Sequence, residues 1–541
     1  MEQMRFIISS GYFHIGSCTS MSAGLAASVS RGALLDPPCP AVFQHSIRSR
    51  DMAHSTAEET ASLMEYLEES ADPIWTIKQS PISGRGLFAT QKIRNGTLIF
   101  KNKPLIIAAR ADRAGDTYCS VCYKISDTCY NCEKCFLLIC SEGCKSSSEH
   151  NAECNFIINN WKPKSGCDKH SDILKIMQIY LRFLLLPDKR KMLLSILQKS
   201  TSDSKIAELE LLCSRYEIPD KHISFIKLIH SIIKINSFRI ASNPDNNKIP
   251  LRGLYPLSAF LNHCCLPNTR NVFDTDYTMA VYATKDIGIG EEIVTCYTGI
   301  LWCTPARRCQ LYKTKQFWCT CARCKDNTEM GTKLSALKCF KKECVGILLP
   351  MSPLDPRAEW SCDNCGSKFL PEKVNAIQSI LGSLVGSLDL DDQFRLEPAI
   401  LARLANFIPY TNHIFIDLRL RLVLKIGFTQ GLKLTELSES RLALKESLCR
   451  GTLRTVAALG VGDAHLRGLL LYHLHAALAE RARRSPDLYE ELKSEIESTI
   501  EQAYYILQGD ISAPPDLELR RRYLGPGCDK PQEERFFILD A

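Results

Sequence analysis

Between Trp75 and Ala109 apolar and polar residues alternate in short runs: WTIKQS, GRGLFAT and TLIFKNKPLIIAA. β-Branched and aromatic residues at that spacing, broken by Gly, Ser and Asn, predict short strands joined by turns. Over 170–240 the period lengthens. ILKIMQIYLRFLLL and ISFIKLIHSIIKINSF place apolar residues at helical spacing, and Pro187 ends the first run. From Leu251 to Tyr297 the short-strand texture returns. After Pro371 the helical period runs to about residue 508, as in GLLLYHLHAALAERARR, without a strict repeat. From Ala513 the chain is Pro-rich and charged and reads as a tail. Residues 1–72 read as a disordered leader. Within them, residues 1–50 are poor in acids, and Arg5, Arg31, Arg48 and Arg50 give a weak likeness to an organelle transit peptide.

A length of 541 residues predicts three or four units, each able to bury a core. The net charge of +7 is mild at this length. Basic residues do not concentrate where nucleic acid would need them: between Lys124 and His150, Lys124, Lys134 and Lys145 stand against Asp127, Glu133, Glu142 and Glu149. No apolar run approaches the roughly 20 residues that span a bilayer. A monomer that binds neither membrane nor nucleic acid is expected. The unusual number is 26 cysteines. A chain this long needs no disulfide scaffold, so tightly spaced cysteines point to metal ligands in a reducing compartment, the cytoplasm and nucleus.

The first cluster reads Cys119-x2-Cys122, Cys132-x2-Cys135, Cys140-x3-Cys144 and His150-x3-Cys154, with Cys129 left over. Two- and three-residue gaps let both side chains of a pair reach one zinc ion, and eight ligands make two tetrahedral sites. With four protein ligands on each ion, no position is open for catalysis, so the segment is a binding platform. The spacing closely resembles the MYND finger. The resemblance implies interleaved pairing: one zinc on Cys119, Cys122, Cys140 and Cys144, the other on Cys132, Cys135, His150 and Cys154.

Four further pieces flank the finger: GRGLFA at Gly84–Ala89, NHCCLPN at Asn262–Asn268, EEIVTCY at Glu291–Tyr297 and FWCTCARC at Phe317–Cys324. In this order they resemble a SET domain with its cysteine-rich post-SET segment, from about Trp75 to about Asp326. A MYND finger inserted after the first strands is the arrangement of the SET and MYND domain-containing protein-lysine methyltransferases. DNTEMGTKLSALKC is similar to the arthropod-type, SmydA-like branch. The resemblance implies methyl transfer from S-adenosylmethionine to a lysine of a histone or non-histone protein. Tyr297 is the expected catalytic residue, placed at the lysine channel. Gly84, Arg85, Gly86, Asn236, Asn262, His263, Tyr297 and Phe317 are the expected cofactor contacts, with Phe317 lying on the adenine. A third zinc would take Cys265, Cys319, Cys321 and Cys324. Cys264 stands where the family usually has Ser, which loses a good hydroxyl hydrogen bond.

Cys339-x4-Cys344 and Cys362-x2-Cys365 read as a zinc ribbon holding a fourth ion, against unpaired buried thiols. Among the later helices, His413, His465, His473 and His475 form no nucleophile–base or metal constellation. The expected fold class is therefore α+β and multidomain. Residues 73–118 begin a β-rich SET fold, followed by the finger at 119–154 and a helical insert at 155–250. Core SET follows at 251–300, post-SET at 301–330, the ribbon at 331–370 and a helical C-terminal domain at 371–541. By resemblance that last domain walls the substrate groove. The rival function is a protein–protein adaptor or transcriptional co-regulator whose finger binds peptide partners and whose SET activity is weak or silent.

Overall fold

The computed structural model describes residues 63–66, 73–81, 83–110, 116–164, 171–201, 205–240, 248–388, 397–428 and 433–536. Apart from Leu63–Tyr66, the expectation for residues 1–72 lies outside these.

Three small sheets build the core. Trp75–Gln79 pairs antiparallel with Arg85–Ala89, in register Trp75 to Ala89 and Gln79 to Arg85. Arg85–Ala89 pairs in turn with Glu292–Thr295, whose other edge takes Asn262–His263 in parallel. The second sheet orders Ile106–Ala109, Leu251–Leu254 and Ser237–Ile240. The third orders Thr269–Phe273, Met279–Ala283 and Leu98–Asn102. Alternation turns Trp75, Ile77, Leu87 and Ile293 inward to one core. Strands of two to five residues suit three sheets that share that core.

The apolar run after residue 170 becomes the helix Ser171–Leu184, stopped just before Pro187. The second run becomes the helix Asp220–Asn236. Its last residues are not helical: Ser237–Ile240 leaves as a strand because Leu251–Leu254 offers it a ladder. The cysteine-rich finger sits on the helix Ser171–Leu184. Gln178 donates to the Ser120 carbonyl and to Glu153 Oε2, both at 2.8 Å. Arg182 donates to Glu153 Oε1 at 2.6 Å and to the Ile107 carbonyl at 2.7 Å, tying finger to sheet.

Residues 337–369 form a four-stranded antiparallel sheet of short strands. Beyond it the chain is helical. His413–Lys425, Glu439–Ala458, His465–Arg484 and Pro486–Leu507 pack around Leu418, Leu442, Leu470 and Leu478. The end is not a loose tail. Leu517–Leu524 is helical, and Tyr472 donates to Asp516 Oδ1 at 2.5 Å while Arg520 donates to Asp516 Oδ2 at 2.5 Å. Tyr472 lies 44 residues back in the chain, so local composition does not show that partner.

Candidate functional site

Asn262 and His263 pair in parallel with Glu292–Thr295, which puts Asn262 next to the Gly84–Gly86 turn. The Asn262 amide donates to the Ser83 carbonyl at 3.2 Å, the Arg85 carbonyl at 3.1 Å and Glu292 Oε1 at 2.7 Å. Ser80 Oγ donates to the other Glu292 oxygen at 3.0 Å. This clasp holds the turn against the strand. It also accounts for Gly86, where a Cβ would stand 2.4 Å from Glu292 Oε1 and 2.8 Å from Asn262 Nδ2. Gly84 turns left-handed at φ +57° with open space where a side chain would go.

Tyr297 is held at both ends. Its hydroxyl donates to the Leu261 carbonyl at 2.5 Å, and its backbone N–H donates to His263 Nδ1 at 3.0 Å. Burial, then the neighbouring Glu292 charge, pushes the phenol up, so it stays protonated through the physiological range. With that proton committed to Leu261, the oxygen is left as an acceptor. Burial lowers His263 to about 3, so the ring is neutral. Since Nδ1 accepts from Tyr297, the ring proton sits on Nε2, 3.2 Å from Cys265 Sγ. Both ring nitrogens are thus engaged inside the protein, so the His263 ring has no free nitrogen to offer a cofactor. The Phe317 and Tyr297 rings lie 6.0 and 5.2 Å from the His263 ring.

Asn236 ends its helix, and its amide donates to the carbonyls of Gln198 at 2.7 Å and Ile232 at 2.8 Å. One residue before it, the Ile235 carbonyl accepts from Lys315 Nζ, which also lies 5.2 Å over the Tyr297 ring. Burial and Arg239 lower Lys315 to about 8. Lys315 thereby connects Asn236 to the tyrosine. Sequence reading passed over Lys315, and its position two residues before Phe317 was the available signal. Arg85 donates to the Ile196 carbonyl at 2.6 Å, with its guanidinium 5.2 Å over the Phe260 ring.

Four sets of soft ligands come together, each with its ligand atoms within 4.8 Å of one another. They are Cys119, Cys122, Cys140 and Cys144; Cys132, Cys135, His150 and Cys154; Cys265, Cys319, Cys321 and Cys324; and Cys339, Cys344, Cys362 and Cys365. Cys129 joins none of them. Thiolates about 2.3 Å from zinc at the corners of a tetrahedron stand about 3.8 Å apart. Cys122 and Cys144 each lie 3.6 Å from Cys140. Cys265 lies 3.9 Å from Cys319 and 3.6 Å from Cys324, and in the fourth set Cys339–Cys365 and Cys344–Cys362 are each at 3.7 Å. The donor chemistry and spacing fit zinc. His150 fits as well: Nδ1 donates to the Lys145 carbonyl at 2.7 Å, leaving Nε2 as the ligand atom, 3.5 Å from Cys135 Sγ. Knuckle turns bring the pairs together, with Tyr123 and Phe136 left-handed immediately after Cys122 and Cys135.

Sequence reading also missed a buried charge cluster beside the third set. Arg307, Arg323 and Glu329 are each at most 1% exposed. Glu329 lies 2.7 Å from Arg307 and 3.4 Å from Arg323. The two guanidinium groups hold its carboxyl below the usual range even though burial opposes this.

The turn, the Asn-His strand and the anchored tyrosine define a SET domain, and the SET domain family model matches residues 84–298. SET domain-containing protein SmydA-8, isoform B, of Drosophila melanogaster is 31% identical over 365 residues, covering 65% of this chain and 80% of that protein. Histone-lysine N-methyltransferase SMYD3 of Homo sapiens is 27% identical over 298 residues, covering 51% and 67%. N-lysine methyltransferase SMYD2 of Homo sapiens is 24% identical over 277 residues, covering 48% and 62%. The chain belongs to the SET and MYND domain family of protein-lysine methyltransferases, as a SmydA-like member.

Proposed function

We propose that this chain moves a methyl group from S-adenosylmethionine to the ε-amine of a lysine in a histone or another protein. The observation that carries the proposal is Tyr297, partly buried, with its hydroxyl anchored to the Leu261 carbonyl and its backbone N–H to His263, beside the Asn262–Glu292 clasp. The cofactor supplies an electrophilic methyl on a sulfonium. The open turn at Gly84, Arg85, Asn236, Asn262 and the Phe317 ring are the groups that would hold it. The protein's task is to deliver a neutral amine in line. A free lysine has a pKa near 10.4, and burial in an apolar channel lowers it. The same effect operates on Lys315 beside Tyr297. The Tyr297 oxygen, as an acceptor, suits both an amine N–H and a polarised methyl C–H, and fixed placement of the two reactants supplies much of the rate.

Zinc fills all four sulfur sets, which makes four ions per chain. Residues 119–154 are a MYND finger that docks peptide or protein partners, and the C-terminal helices wall the substrate groove. The protein acts as a monomer in the cytoplasm and nucleus, binding neither membrane nor nucleic acid. Titration calorimetry with S-adenosylhomocysteine tests the cofactor assignment. One molecule per chain is expected, with Asn262→Ala weakening it at least tenfold by releasing the Gly84–Gly86 turn. No binding by the wild-type protein would contradict the proposal, and binding without any transfer would favour the adaptor.

A further inference from the structure

The third sulfur set is wired to the catalytic tyrosine by a short path that no family assignment supplies. Cys265 is fully buried. Its sulfur accepts from His263 Nε2 at 3.2 Å and from Arg307 Nε at 3.1 Å. Arg307 also reaches Cys324 Sγ at 3.5 Å, Thr304 Oγ1 at 2.9 Å, Glu329 Oε2 at 2.7 Å and the Trp302 carbonyl. That uses all five guanidinium N–H groups. Arg323 donates to the Cys265 carbonyl at 3.2 Å, the Ile300 carbonyl at 2.7 Å and the Trp302 carbonyl at 3.0 Å. Four thiolates around one divalent zinc leave two negative charges in a largely buried site. Buried charge at that density needs opposite charge and hydrogen bonds. Arg307 and Arg323 bring two positive charges against the single negative charge of Glu329.

His263 is the other half of the path. Its Nδ1 is committed to the Tyr297 N–H, so the donor facing Cys265 is Nε2–H. A thiolate bound to metal holds that donor more strongly than a free thiol does.

We propose that the Cys265–Cys319–Cys321–Cys324 centre sets the position of Tyr297 through His263, and that Arg307 is the counter-charge that keeps the centre intact. His263 and Arg307 are positioning residues. This rests on the zinc reading above, and the test separates the two.

The test uses full-length, zinc-loaded protein. Zinc release into excess chelator, the dissociation constant of S-adenosylhomocysteine and the rate of labelling of a cell extract at saturating S-adenosylmethionine are measured together. In Arg307→Met one zinc per chain leaves at least tenfold faster than in the wild type while the others keep their rates. Arg307→Lys, which keeps the charge and loses the fork, falls between them and serves if the methionine variant does not fold. His263→Leu lowers the labelling rate at least tenfold with the dissociation constant within twofold. His263→Gln, whose amide can accept from Tyr297 and donate to sulfur, recovers most of that rate. Wild-type zinc release in both Arg307 variants would overturn the counter-charge. A wild-type labelling rate in His263→Leu, or a glutamine variant no better than leucine, would overturn the coupling. A zinc count that does not fall by one in Cys321→Ser would remove the metal reading and the coupling with it.

Discussion

Charged side chains placed where water cannot reach them decide much of this molecule's chemistry residue by residue. Lys445 is fully buried, donating to the carbonyls of Val423 at 2.7 Å and Ile426 at 2.6 Å, with His473 Nδ1 at 3.2 Å. Burial lowers it from 10.5 to about 7; nearby Cys449 opposes that shift and Arg520 adds to it. His473 is itself held neutral by burial and by Lys445. A depressed folded pKa means that the unfolded chain binds the extra proton between the two values. Stability therefore rises with pH from about 7 to 10.5 and is lost as pH falls back through 7. Lys445→Met is expected to flatten that rise in urea-unfolding curves measured under reducing conditions across the same range. An unchanged slope would contradict the assignment. At this scale the motif residues Asn262, His263 and Tyr297 were legible because their order along the chain is distinctive. Arg307 was not: nothing in TPARRCQLYKTKQ distinguishes a buried arginine from a solvated one, and the partners of Arg307 lie up to 42 residues away.

At the scale of elements, short pieces hold their shape by caps and clustered cysteines. The ribbon strands run two to four residues, too short to be stable as an isolated sheet. Their corners are the four cysteines. Cys344→Ser is expected to lower the zinc count per chain by one, read by elemental analysis, and to leave S-adenosylhomocysteine binding within twofold. The ribbon meets the helices at Asn412. This fully buried cap accepts from the Ile414 N–H at 2.8 Å and donates to the Ala336 carbonyl at 2.6 Å. Asn412→Ala removes a cap and leaves a buried carbonyl unpaired, a loss of about 2–4 kcal/mol in denaturant unfolding. Helical period and cysteine spacing made most of these elements readable. The misread stretches, Ser237–Ile240 and the segment after Ala513, take their structure from partners distant in sequence. Periodicity carries no information about such partners.

At the scale of the whole molecule, the helical region closes back on the SET core through close contacts. Gly462 is left-handed at φ +63°, and a Cβ there would stand 1.9 Å from the Thr284 carbonyl oxygen. The next residue, Asp463, donates its N–H to that carbonyl at 2.9 Å and accepts from Asn95 at 2.7 Å. Ile511 donates to the Phe273 carbonyl at 2.7 Å. Gly462→Ala sets a methyl against backbone that cannot yield, so protease should cut between core and helical region at least several-fold faster, with the cofactor turn unaffected. The order of strand-rich, cysteine-rich and helical stretches was legible because each carries its own pattern. The docking was not, since contacts such as this glycine and Arg270 over the Tyr505 ring join residues far apart in sequence. All of it serves one claim, that Tyr297 sits where a lysine amine meets a sulfonium methyl. The direct measurement incubates purified protein with methyl-labelled S-adenosylmethionine and a whole-cell extract, then locates the label by mass spectrometry. Label on lysine ε-nitrogens, reduced at least tenfold or changed in methylation degree by Tyr297→Phe, is the expected result. Cofactor bound with no lysine labelled, or labelling indifferent to Tyr297, would contradict it.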